Sequence, residues 1–194
     1  GHAQRPLEQL GDVQPHQRRR QQAEIRERRE ASADVGEIPE DPPEAALARA
    51  LLQRRPRIGD GHAIRAIHRS EEDLAEEHLK AAGALVAGLK QDLESYPDLF
   101  YAGYTQDALK EYCEATITVA LIENQPLPDP ESLGQEYATY LNGLAEATGE
   151  LRRRCLDILR QGYSSEAERM LTCMDEIYSL LVTLDFPEAV TNGL

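Results

Sequence analysis

The sequence predicts an all-α chain, an antiparallel bundle of about six to seven helices. Three observations lead there. From Ala63 onward apolar residues recur at helical spacing, and no segment alternates as a strand would. The periodic segments are long, and short breaks such as "NQPLPDP" and Gly162 separate them. No internal repeat is present, so a bundle is favoured over a solenoid.

The elements follow in order. "AIRAIHR" closes a first helix. Ser70 is expected to cap the next, with Asp73 three residues on in a capping-box-like arrangement. That helix runs to about Glu94 through Leu74, Leu85, Leu89 and Leu93. "SYPDLFYAGY" reads as an aromatic-rich turn. A helix over roughly 106–123 carries Leu109, Tyr112, Cys113, Thr116 and Ala120 as its apolar stripe. A long one over about 131–161 buries Tyr137, Leu141, Leu144, Leu151, Cys155 and Ile158, and Gly162 ends it. Ser165 and Glu168 form a second capping box, opening a helix that reaches about Leu184. "DFPEAVTNGL" begins another, with Pro187 in its first turn, and is read as cut short by the end of the sequence.

Residues 1–60 differ from residues 61–194. They contain no Lys, Tyr, Phe, Trp, Met or Cys, but six prolines and the run "QRRRQQAEIRERRE". Such a segment buries little apolar surface and is expected to be disordered or weakly helical. The chain also begins without Met, so these residues are read as a linker, a non-native segment or a misread frame of a GC-rich gene. "HQRRR" is a candidate nucleic-acid arm, although eleven acidic residues balance the eleven basic ones of this segment. The helical domain is assigned to 61–194.

That domain carries the whole net charge of −14, and its lysines are Lys80, Lys90 and Lys110. Such a surface keeps a protein soluble by self-repulsion and suits a salt-rich cytoplasm. The three cysteines are scattered through helical patterns, which argues against a disulfide framework and for buried thiols. With neither C-x-x-C nor H-E-x-x-H, a zinc site has no support. The longest apolar run, "AAGALVAGL", is too short to span a bilayer, and no signal peptide is recognisable. A cytoplasmic location without membrane contact is expected.

Carboxylates are the chemistry-bearing feature. In "LKEYCEATITVALIEN" Glu111 and Glu114 lie three residues apart on one helix face, with Asp107 one turn before. Glu146 and Glu150 form a second pair, four residues apart, on the later helix. Like charges at these spacings repel by a few tenths of a kcal/mol (on the order of 0.2–0.5). If the two helices face each other, four oxygen donors converge, as a hard cation such as Mg2+ or Mn2+ requires. The alternative is a solvated acidic surface in which Glu114 pairs with Lys110 and Glu150 with Arg154.

"EYATYLNGLAEATGELRRRC", residues 136–155, resembles the signature helix of the translin family, and in particular of its translin-associated factor X branch. The resemblance rests on "YLNG" at 140–143, the acid at 146, "TGEL" at 148–151, Arg153 and Cys155. "YPDLFYAGYTQDALKEYCEATITVALIEN" matches as well, including the E-Y-x-E spacing of Glu111 and Glu114. "AIRAIH" and "GYSSEAERMLTCMDEIYSLL" agree more loosely. The resemblance spans about residues 62–194 and stops short of the first sixty.

It implies an all-α oligomer, octamer-like or completed by a translin-family partner subunit, that binds single-stranded RNA or DNA. It further implies Mg2+-dependent endonucleolytic cleavage of single-stranded RNA. Glu111, Glu114 and Glu146 would be the catalytic metal ligands, and Glu150 would complete or orient the set. Glu146 stands where the catalytic branch usually has Asp. Arg152, Arg153 and Arg154 are candidates for nucleic-acid phosphate contact, with a solvated cluster paired to nearby glutamates as the alternative. Tyr101 and Tyr104 are candidates for base stacking or for packing. Two other readings remain: a non-catalytic RNA/DNA-binding oligomer, and a helical oligomer whose acids serve solubility alone.

Overall fold

A computed structural model describes residues 46, 47, 50, 58 and 61–184. Six helices run through the continuous part: α1 His62–His68, α2 Glu72–Leu93, α3 Pro97–Phe100, α4 Gly103–Ile122, α5 Tyr137–Leu159 and α6 Ser165–Leu181. No strand occurs among the described residues. The expected helix beginning at "DFPEAV" lies outside them.

The helix starts differ from expectation in ways the backbone explains. Ser70 does not cap α2. It adopts a left-handed conformation, φ 59°, and closes α1. The N–H groups of Ser70 and Glu71 return to the carbonyls of Ile67 and Ala66, satisfying the end of that helix. Glu71 is the residue that precedes α2, and Glu72 and Asp73 place negative charge at its positive end. Ser164, one residue before the expected cap, opens α6 by accepting the Glu166 N–H at 3.2 Å. Glu168 instead engages the Tyr163 hydroxyl. Residues 131–134 form turns rather than the start of α5: Asp129 Oδ1 accepts the Ser132 N–H at 2.6 Å, and Gly134 takes φ 60°.

Burial revises several expected core positions. Leu74 is 40% exposed and Tyr137 64%, because both sit in the first turn of their helices, at the rim of the bundle. Helix α4 is the central element. It packs on α1, α2, α5 and α6, so Ala115, Ile117, Thr118 and Val119 are buried as well as Leu109 and Cys113. A helix covered from several sides shows no narrow stripe.

The main core joins Ile67, Cys113, Ile117, Leu144, Leu151 and Met170, drawn from α1, α4, α5 and α6. A second cluster joins Ile58 to Val86, Leu89, Leu93 and Leu109, with Leu47 packed against it. Packed residues therefore begin before the composition change at residue 60. Arg169 of α6 donates to the Leu121 and Ile122 carbonyls at 2.8 and 3.1 Å, so its charge rests on the negative end of α4. All three cysteines are free; burial pushes the Cys113 thiol up to about 12 and leaves it inert.

Candidate acidic site between α4 and α5

The site depends on one close approach. A Cβ at Gly143 of α5 would lie 2.6 Å from Cys113 Cβ and 3.0 Å from Glu114 N and Lys110 O. Only a glycine lets α5 settle this near the α4 backbone. One turn further along α5, Glu146 meets the 110–114 stretch of α4. Lys110 Nζ donates to Glu146 Oε1 at 2.7 Å across the helix pair.

Glu111, Glu114 and Glu146 line one cavity of about 540 Å³. Its other walls come from α1 and α2. His62 and His78 stand there with ring centroids 5.1 Å apart, and Ile64, Leu79 and Ala82 supply an apolar back. Of the four carboxylates expected to converge, Glu111, Glu114 and Glu146 share this cavity. Among the described residues, no three His, Cys, Asp or Glu side chains stand close enough together to hold a metal ion as they are placed.

Glu150 does not line that cavity. His68 Nε2 lies 2.6 Å from its Oε2, joining α1 to α5 across 82 residues of sequence, and the His68 side chain is only 6% exposed. Arg153 Nη1 approaches the same oxygen at 3.5 Å.

The electrostatics centre on Glu114. Burial, and then the charges of Glu146, Glu150 and Glu111, push its carboxyl up from 4.5 to about 7, with Lys110 opposing. Lys110 itself is pulled down by burial, but the hydrogen bond it donates to Glu146 and the charges of Glu146, Asp107 and Glu111 outweigh this and hold its pKa above the usual value. The pairings expected from sequence change accordingly. Lys110 serves Glu146 rather than Glu114, and Glu150 takes His68 and Arg153 rather than Arg154. The sequence carried no signal for the cavity wall of His62 and His78, nor for His68, because these contacts cross from α1 and α2.

The arginines divide. Arg152 and Arg153 are exposed. Arg154 turns to the seam of α1 and α6, where it donates to the His68 carbonyl at 3.3 Å and pairs with Glu166 at 3.5 Å. Tyr101 is 64% exposed and meets Phe100 edge-on at 5.0 Å, and Tyr104 is half-buried.

No helix of the described residues is long and apolar enough to cross a membrane. No family model matches the chain. It is 28% identical over 131 residues to an uncharacterised protein of Methanocaldococcus jannaschii; the match takes in 66% of this chain and spans 58% of that protein's length. Among solved structures, it resembles AfC3PO in complex with duplex RNA at 32% identity and a TM-score of 0.70, covering 90% of this chain and 85% of that one. AfC3PO alone agrees at 31% identity and a TM-score of 0.69 over the same shares. Apo-NeC3PO agrees in fold, at 19% identity and a TM-score of 0.67, over 94% of this chain and 93% of that one. These C3PO structures are of the translin type, and this chain belongs to the translin family.

Proposed function

We propose that this chain binds RNA and cleaves single-stranded RNA with the help of Mg2+ or Mn2+, as part of an oligomer. The observation that carries the reading is Glu114: a half-buried carboxyl raised to about 7 by burial and three other carboxylates, on the wall of a cavity it shares with Glu111 and Glu146. Concentrated negative charge of this kind suits a hard divalent cation bound through one or two carboxylates, water and substrate phosphate. The donor chemistry fits, and Glu111, Glu114 and Glu146 would hold the ion. The chemistry such an ion supplies is charge for the scissile phosphate and an acidified water as nucleophile.

The chain's own residues do the rest. Glu150, held by His68, orients the α5 side of the site. Arg153 and Arg152, exposed on the next turn, contact backbone phosphate. Arg154 ties α1 to α6 instead. The apolar back of the cavity limits water around the acids. The AfC3PO complex with duplex RNA supports RNA as the ligand class. Assembly is supported by α6, where Leu171 and Tyr178, with Val182 at its C-cap, share one exposed face, 54%, 67% and 60% accessible. A ring of copies, octamer-like, or a translin-family partner subunit would cover it.

A second reading has its own observation. Lys110 already neutralises Glu146, and His68 already engages Glu150. An RNA- or DNA-binding oligomer without cleavage needs no more than that. Labelled single-stranded and duplex RNA incubated with Mg2+ or EDTA, beside Glu114→Ala, separates the two. Cleavage of the single strand by the wild type with Mg2+ alone supports the nuclease. Retention of either RNA without cleavage, unchanged in Glu114→Ala, supports the binding module and sinks the nuclease.

A further inference from the structure

The ion pair across the α4–α5 seam has a consequence beyond that reading, although it rests on it. Lys110 is one of three lysines in the chain, and it sits one residue before Glu111 and one turn before Glu114. Its Nζ lies 2.7 Å from Glu146 Oε1. An ammonium is a compact point charge with three donors, a monovalent stand-in for a hard cation. An oxygen that accepts its hydrogen bond this closely cannot also coordinate a divalent ion on the same side. Both partners are partly exposed, 24% for the lysine and 44% for the glutamate, so the contact is weak enough to open.

We propose that Lys110 is a tethered counter-ion that competes with the divalent cation for Glu146 and so sets the cation concentration at which the acidic site fills. Displacement leaves Lys110 anchored on α4 beside the site. The device is then a threshold: Glu146 stays paired with Lys110 until cation is plentiful.

The test is Mn2+ binding to the full chain, followed by calorimetry and by the electron paramagnetic resonance of free Mn2+. Lys110→Gln removes the competitor, and Lys110→Arg keeps a tethered cation. Lys80→Gln is the charge control: it also removes one positive charge, but Lys80 pairs with Glu76 on the exposed side of α2, at 2.8 Å. Lys110→Gln is expected to bind Mn2+ about threefold to tenfold more tightly than wild type, with Lys110→Arg and Lys80→Gln close to wild type. Circular dichroism checks that each variant is folded. Mn2+ affinity equal in Lys110→Gln and Lys80→Gln overturns the proposal. Weaker binding in Lys110→Gln also overturns it, since the lysine would then be holding Glu146 in place for the ion. If wild type and all variants fail to bind Mn2+, the metal reading itself falls and the threshold with it.

Discussion

Gly143 of α5 faces Cys113 of α4 so closely that a Cβ on the glycine would stand 2.6 Å from the cysteine's own Cβ. The contact sets the depth at which α5 seats, and so whether Glu146 reaches Lys110 and Glu114. Gly143→Ala must push the helices apart. The neighbours in the way are a fully buried cysteine and the α4 backbone, neither able to yield. We expect a loss of about 1–3 kcal/mol from overpacking, net of the roughly 1 kcal/mol that alanine gains in helix propensity. Gly149→Ala is the internal comparison. Nothing lies within 4 Å of its added Cβ, so it should stabilise by about 0.5–1 kcal/mol. Urea denaturation of both variants checks the pair. Equal effects at the two positions would mean that the close approach carries no energy.

Glu114 should make stability fall as pH rises. Its carboxyl is raised from 4.5 to about 7 in the folded chain, so the fold favours the protonated form. That contribution is fully present below about 4.5 and is lost as pH climbs through about 7. Discounted for solvent screening, the loss amounts to roughly 1 kcal/mol between pH 5 and pH 8. Thermal melts across that range should slope downward for wild type more steeply than for Glu114→Gln, which has no proton to lose. Mg2+ at pH 8 should recover part of the loss in wild type and none in the variant. Parallel slopes would remove Glu114 as the focus of the charge.

His68 should matter to stability more than its distance in sequence suggests. Its nearly buried ring holds Glu150 at 2.6 Å, and the neighbouring His68 carbonyl takes Arg154 at 3.3 Å, so one residue ties α1 to α5 twice. His68→Ala removes the side-chain contact and leaves Glu150 without its closest partner. We expect a cost of about 1–3 kcal/mol, with His68→Gln recovering part of it through an amide donor. The denaturation midpoint is the measurement. A midpoint unmoved by the alanine would show that α1 is held by its apolar face alone, through Ile64 and Ile67.

The helices were legible because local patterns write them. Apolar spacing located α2 and α4 to within about three residues, whereas α5 begins six residues after its expected start; Gly162 closes the turn that follows it. The starts were less legible. Ser70 and Ser165 have the composition of caps, yet a serine also serves to close the preceding helix or to occupy its own first turn. Only the backbone path chooses between these. The E-Y-x-E spacing put Glu111 and Glu114 on one face, and the second acidic pair was equally visible. Their partners were not: Lys110 was expected to pair along its own helix and pairs across the seam instead.

What the sequence determined by itself is the helical character, the family and the identity of the acids. These follow from periodicity and from motifs, both of which are local. What the tertiary structure decided is which carboxylates act on one another and what neutralises them. Glu146 meets Lys110 across 36 residues, and Glu150 meets His68 across 82. The reason is physical. Electrostatic interaction falls with distance in space and is screened by water, so it is fixed only when packing, here Gly143 against α4, brings separated segments together and excludes solvent between them.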